Sequence, residues 1–191
     1  MGRDQNFQPI VFRAYLRGIA MLAALLVVSG GSSGTTDAAP KPFSACSLVN
    51  LEDAKGLWDA GAKLDVMDGD HSHANGPIVV VCRYAVLTGQ YVEKYLTVEV
   101  TRPVTKAQFE TARQQDELAF NATVGKVQKV AGLGDEAYSF GFYNFGAVTF
   151  LKGQYAVKVT VEYKRDNAMI DPARAVAGIM PVARKAAGRS L

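Results

Sequence analysis

An α+β fold, an antiparallel β-sheet packed by an N-terminal helix, a middle helix and a C-terminal helix, is predicted by three observations. Residues 154–163 set Tyr155, Val157, Val159, Val161 and Tyr163 against Ala156, Lys158, Thr160 and Glu162, the period-2 pattern of a strand with one packed and one wetter face. Two earlier apolar runs, Ile78 to Leu87 and Tyr95 to Thr101, flank Gly89-Gln90 and read as a hairpin. Helix-starting signals stand before three other segments.

The elements follow in chain order. Asn50 precedes Leu51-Glu52-Asp53-Ala54-Lys55-Gly56-Leu57-Trp58, with acids in the first turn and Leu51, Ala54, Leu57 and Trp58 on one face, so a short helix begins there. The single tryptophan reads as a core anchor. Asp65 to Pro77 reads as a polar loop holding both histidines. Ile78 to Leu87 is β-branched and carries Cys82, while Tyr95 to Thr101 alternates Leu96, Val98 and Val100 with Thr97, Glu99 and Thr101. Thr105 and Gln108 have capping-box spacing, so Lys106 to Phe120 is a helix with Phe109, Ala112 and Ala119 along its inner stripe. Ala137 to Tyr143, Ala147 to Leu151 and Gln154 to Tyr163 are strands, the last two joined at Lys152-Gly153. Asp171-Pro172 is an N-cap with proline at the first helical position. Val176, Ile179, Met180 and Ala183 then supply the apolar stripe, before Arg184, Lys185 and Arg189. Pro181 lies inside it, and an interior proline costs about 3 kcal/mol, which predicts a kink or two short helices.

With 191 residues, 49% of them hydrophobic and 20% charged, the chain has the composition of an ordinary globular domain. Collagen, disorder and disulfide-dense miniproteins are excluded. The formal charge of +3 belongs largely to the start of the chain, where Arg3, Arg13 and Arg17 face a lone Asp4. The remainder is near neutral, which excludes a basic nucleic-acid-binding surface. After Arg17, the run from Ile19 to Val28 is apolar and uncharged, and small residues follow from Ser29 to Gly34. Such a leader is signal-peptide anatomy, too short for a bilayer span, which needs about 20 apolar residues. Residues 1–30 are therefore read as an export signal cut between 30 and 39, with an uncleaved anchor as the alternative. Residues 31–42 are read as a flexible linker and 43–191 as a single domain. Leu26 to Gly31 resembles a bacterial lipoprotein box in which Gly31 stands where the lipidated cysteine would be, so the product is expected to be released rather than acylated.

Cys46 and Cys82 are the two cysteines, and in an exported chain an even pair reads first as a disulfide. A zinc site is the alternative, although two thiolates spaced so widely make only half of one. Gly132-Leu133-Gly134-Asp135-Glu136-Ala137 fits a dinucleotide-binding pattern by letter. However, a strand rather than a helix follows, and two acids would repel a phosphate, so a tight turn is expected. Gly30-Gly31-Ser32-Ser33-Gly34 fits a nucleophile elbow but lies in the leader's tail. Asp65, Asp68, Asp70, His71 and His73 could ligate zinc, with a solvated loop as the plainer reading. Phe140, Phe142, Tyr143, Phe145 and Phe150 are glycine-interleaved aromatics, either sheet core or an apolar partner surface.

Four stretches together resemble the family named domain of unknown function 3558, exported actinobacterial lipoproteins. They are Phe43-Ser44-Ala45-Cys46-Ser47-Leu48-Val49, Val81-Cys82-Arg83-Tyr84, Gly132 to Tyr138 and the Ala-rich terminal helix, within residues 43 to 187. The resemblance implies a cell-envelope domain with a disulfide, an antiparallel sheet backed by helices, kinship with the Mog1/PsbP-like sheet folds, and no established activity. Gly31 departs from the family, whose members usually carry the lipobox cysteine.

The function expected is a secreted or cell-envelope, non-catalytic binding domain, because no base, nucleophile and orienter can be assembled from two loop histidines. No catalytic, cofactor or metal residues are assigned, and the expected partner is an envelope protein, docked for example through the aromatic hairpin, or a small apolar ligand. Nucleic acid is not expected, and membrane contact is expected only through an uncleaved leader. The alternative is a metal-assisted hydrolytic protein using the Asp65–His73 loop.

Overall fold

Along the chain come a 3-10 turn at Ala45–Ser47, helix α1 (Leu51–Leu57), strands β1 (Ala62–Asp70), β2 (Ile78–Thr88) and β3 (Tyr91–Arg102), and helix α2 (Lys106–Phe120). Strands β4 (Gln128–Lys129), β5 (Glu136–Phe142), β6 (Phe145–Lys152) and β7 (Tyr155–Tyr163) follow, then helix α3 (Pro172–Gly188). The computed structural model describes residues 44–57, 62–70, 77–88, 91–120, 126–164 and 170–191, with backbone alone for 56–57, 62–70 and 88. The leader, the linker, Trp58 and the Gly89-Gln90 turn lie outside the described residues.

The strands form one antiparallel seven-stranded sheet in the order β1-β2-β3-β7-β6-β5-β4, so the fold is α+β as predicted. The β2–β3 hairpin pairs Val80 with Val100, Cys82 with Val98 and Tyr84 with Leu96, all buried on one face. Pairing of β3 with β7 brings Val98 opposite Val159 and Leu96 opposite Val161, which joins the early hairpin to the late one. On this first face α3 lies over β5, β6 and β7, while the 3-10 turn packs on β2 and β3. The core between them holds Leu48, Leu96, Val159 and Ile179, each worth about 1.5–3 kcal/mol on burial.

Two glycines of the aromatic segment set how closely α3 approaches. A Cβ on Gly141 would lie 2.7 Å from Pro172, and one on Gly146 would lie 2.8 Å from the backbone of Ala175 and Val176. The glycines interleaved among the phenylalanines are thus the floor on which the helix rests.

The local signals act as the residue types dictate. Asn50 and Asp53 form a reciprocal capping box, with each backbone N–H donating to the other's side chain at 3.0 and 2.9 Å. Thr105 and Gln108 do the same at the start of α2, and Asp171 accepts from Ala173 N–H at the start of α3.

Several expectations are corrected. Residues 65–70 belong to the edge strand β1 rather than a loop. Its pairing with β2 breaks between Asp65 and Gly69, a bulge that suits an edge rich in charge. Strand β3 begins at Tyr91, four residues before the alternation becomes visible, because Tyr91 and Val92 extend the hairpin to its turn. The β6–β7 turn is Gly153-Gln154, with the left-handed backbone at Gly153. In α2 Ala112 and Ala119 are exposed, and the inner stripe is Phe109, Asp116 and the half-buried Arg113 and Phe120. Arg113 bridges Glu110 at 2.6 Å and Glu117 at 3.0 Å, and its guanidinium holds the Glu110 carboxyl down to about 2. Helix α3 runs as one element through Pro181, which sits on the exposed side where water can serve the carbonyl its missing N–H leaves free.

The C-terminus is tied back to the N-terminal turn. Asp53 is 7% exposed and pairs with Arg189 at 2.6 Å and Lys185 at 3.1 Å, and Arg189 also donates to the Leu48 carbonyl at 2.8 Å. Burial pushes the Asp53 carboxyl up, but the Asn50 N–H and the two cations outweigh it and hold it below its ordinary 3.8. Its stabilising contribution is therefore full above that value and lost as pH falls through the lower folded-state pKa. An Asp53→Asn variant is expected to lose about 1–2 kcal/mol at pH 7 and to match the parent near pH 2, compared by thermal unfolding at both pH values.

Candidate functional site

The covalent anchor is formed as predicted from the cysteine count. Ser44 Oγ accepts from Cys46 N–H at 3.2 Å and fixes the 3-10 turn, and Cys46 is bonded to Cys82 with a Cα–Cα distance of 5.1 Å. The bond lies at the floor of the first-face core, beside Tyr84, whose hydroxyl donates to the Val49 carbonyl at 2.5 Å.

The segment Gly132 to Ala137 is a turn that feeds a strand. Gly132 and Gly134 have φ of 69° and 61°, and a Cβ on Gly134 would strike the Leu151 carbonyl oxygen at 2.3 Å. Asp135 N–H donates to that same oxygen at 2.7 Å, and its carboxylate accepts from Gly153 N–H at 2.7 Å. Asp135 thus latches its turn to the Gly153 turn and Glu136 pairs with Lys106 at the start of α2, and strand β5 rather than a helix follows the two acids.

Among the described residues the second face of the sheet is covered unevenly. Helix α2 packs on β5, and its apolar cluster, Phe109 with Tyr138, Phe140, Ala147 and Leu151, reaches β6. Under it Tyr138 donates its hydroxyl to the buried Asp116 carboxylate at 2.8 Å. Toward β7, β3 and β2 the same face turns polar. One cross-strand row runs Tyr138, Thr149, Lys158, Glu99 and Val81, and its neighbour runs Phe140, Ala147, Thr160, Thr97 and Arg83. Arg83 lies 4.5 Å above the Tyr95 ring and Lys164 Nζ 5.6 Å from it. Around Arg83, strand β2 presents Val79, Val81, Ala85 and Leu87 to this face while its other side feeds the core, so it is apolar on both sides. The sequence marks Ile78 to Leu87 as an apolar, β-branched run, and the sheet assigns its alternate residues to the two faces.

Thr149 Oγ1 is buried and has no hydrogen-bond partner among the described residues. Thr149→Val is therefore expected to be neutral or to stabilise by up to about 1 kcal/mol, measured by urea unfolding, because it removes an unmet polar group at nearly constant volume.

The aromatic hairpin divides between core and surface. Phe150 is buried on the first face and Phe140 on the second, Phe142 and Phe145 are half-buried, and Tyr143 is exposed at the turn. The alternate rings are therefore not exposed as a set; the strand packs on both sides. Of the acidic and histidine cluster, Asp65, Asp68 and Asp70 lie in β1, and His71 and His73 lie outside the described residues. Among the described residues no three His, Cys, Asp or Glu side chains come together to hold a metal, and no helix is long and apolar enough to cross a membrane. The Gly30–Gly34 pattern also lies outside them. Compared with known proteins, the chain matches no family model, no curated protein and no solved structure.

Proposed function

We propose that this chain works outside the cytoplasmic membrane, secreted or at the cell envelope, as a binding domain without catalytic chemistry. The observation that carries the binding reading is strand β2, apolar on both sides, in a sheet whose second-face helix lies over the far strands β5 and β6. The half-buried Val79, Val81 and Leu87 beside Arg83 offer apolar contact area, with Arg83, Glu99 and Lys158 as charged points for orientation. The leader, the bonded Cys46–Cys82 pair and the resemblance to the exported 3558 family support the compartment. The partner class is an envelope protein or a small apolar ligand.

A photo-crosslinking residue placed at Val81 in intact cells is expected to give a discrete adduct, and the same residue at the exposed Arg184 of α3 none. Equal labelling at both positions, or none at either, overturns the reading. The metal-assisted alternative makes a separate prediction: zinc should release heat on binding the parent chain and not a His71→Ala/His73→Ala variant, by titration calorimetry.

A further inference from the structure

Arg189 stands just past the end of α3 and is tied on two sides. Its N–H donates to the Ala186 carbonyl at 3.2 Å, while Lys152 Nζ of β6 donates to the carbonyls of Ala187 and Arg189, each at 2.8 Å. Its guanidinium reaches the other way, to the Leu48 carbonyl at 2.8 Å and to Asp53 at 2.6 Å, where Lys185 joins at 3.1 Å. Leu48 caps the 3-10 turn that carries Cys46. Arg189 therefore clasps that turn to β6, while the disulfide fastens the same turn to β2.

The two sulfurs are unequally placed. Cys82 is fully buried, between Val80 and Tyr84 on β2 and opposite Val98 of β3, whereas Cys46 is half-buried. Thiol–disulfide exchange needs a thiolate to reach one sulfur and the other to carry away the displaced charge. Cys82 presents no surface to an incoming thiolate. Attack at Cys46 leaves the charge on Cys82 inside the apolar core, where an unpaired thiolate is costly. Both obstacles go when the turn lifts from β2 and β3. Ala45, Leu48 and Val49 are fully buried and resist that lifting by packing, and Arg189 adds the part that one side chain controls.

We propose that the Arg189 clasp gates reductive opening of the Cys46–Cys82 bond, so that a dithiol reductant acts through local lifting of the N-terminal turn and not through global unfolding. One thiolate of the dithiol attacks Cys46 Sγ, and the electron pair of the broken S–S bond leaves on Cys82 Sγ, which takes a proton. The second thiol, giving up its proton, then attacks the first sulfur of the reductant, which closes the reductant's own disulfide and releases Cys46 as a thiol. Two electrons pass from the dithiol to the protein. The gate belongs to the folded domain and is independent of what the domain binds.

The test uses the full chain and dithiothreitol without denaturant, with free thiols alkylated at successive times and counted by intact mass. Arg189→Ala is expected to speed reduction about tenfold, as loss of a charge-assisted hydrogen bond requires. Lys152→Met frees the Arg189 carbonyl but keeps its side chain, and is expected to speed reduction about threefold; it also carries the test if Arg189→Ala fails to fold. Phe109→Leu loosens the cluster under α2, away from the clasp, and is expected to change the rate less than about twofold. The parent rate is expected to stay flat in low urea, because lifting one turn exposes little surface. Acceleration by Phe109→Leu equal to that of the clasp variants, or a parent rate that climbs with urea as steeply as global unfolding, means reduction through the unfolded chain. Unchanged rates in both clasp variants mean no gate. Each of these results overturns the proposal.

Discussion

Loss of the Cys46–Cys82 bond is expected to lower stability by about 3–4 kcal/mol, or roughly 10 °C in thermal midpoint for a domain of this size. The bond closes a loop of 36 positions that contains α1 and the whole edge strand β1. In the unfolded chain that loop would otherwise be free, so the bond removes its closure entropy. The folded side adds to the effect, because Cys82 is fully buried in the core and Cys46 positions the turn that covers β2 and β3. Without the bond, the N-terminal turn is held by single contacts such as Tyr84 hydroxyl to Val49 and Arg189 to Leu48. Urea unfolding of a Cys46→Ala/Cys82→Ala variant against the parent measures the loss. A midpoint shift worth less than about 1 kcal/mol would mean that the N-terminal turn is held by packing alone.

Gly146→Val is expected to cost about 3 kcal/mol or more, the second large effect. A Cβ at this position meets backbone atoms of α3 at 2.8 Å, and backbone cannot swing aside as a flexible side chain can. Valine adds two further methyls in the same direction, so either the helix lifts from β6 or the strand bends. Lifting α3 would uncover Ile179, Val182 and Ala183, all fully buried. Gly188→Ala, near the end of the same helix and open to space, is the matched control and should leave the midpoint within about 0.5 kcal/mol. Equal shifts for the two variants would place the cause in glycine chemistry rather than in the helix–sheet approach.

The contrast between these glycines illustrates what the sequence made legible. Caps, alternation and cysteine parity act within a few residues or through covalent chemistry, and the caps at Thr105 and Asp171, strand β7 and the disulfide stand as the residues foretold. Strand β1 was hidden because an edge strand tolerates Asp and Gly that a central strand would not, and its bulge breaks the alternation. The two-residue β4 carries too little pattern to read. The inner stripe of α2 was misplaced because its buried members include a carboxylate; Asp116 accepts inside the cluster from the Tyr138 hydroxyl, 22 positions away. Pairing of β3 with β7 joins segments about 60 residues apart, a choice made by tertiary packing and silent in local pattern. The candidate site followed the same rule. Its aromatic hairpin was visible as composition, while the sorting of its rings between two faces depends on strand pairing.

The central claim, a disulfide-bonded domain that works outside the cytoplasmic membrane, is tested most directly by intact-mass measurement of the chain recovered from outside and inside that membrane, with and without reductant. The account predicts an extracytoplasmic species that begins between residues 31 and 39 and gains about two mass units on reduction, as one opened disulfide requires. A full-length chain confined to the cytoplasm, with a mass that reductant does not change, would contradict it.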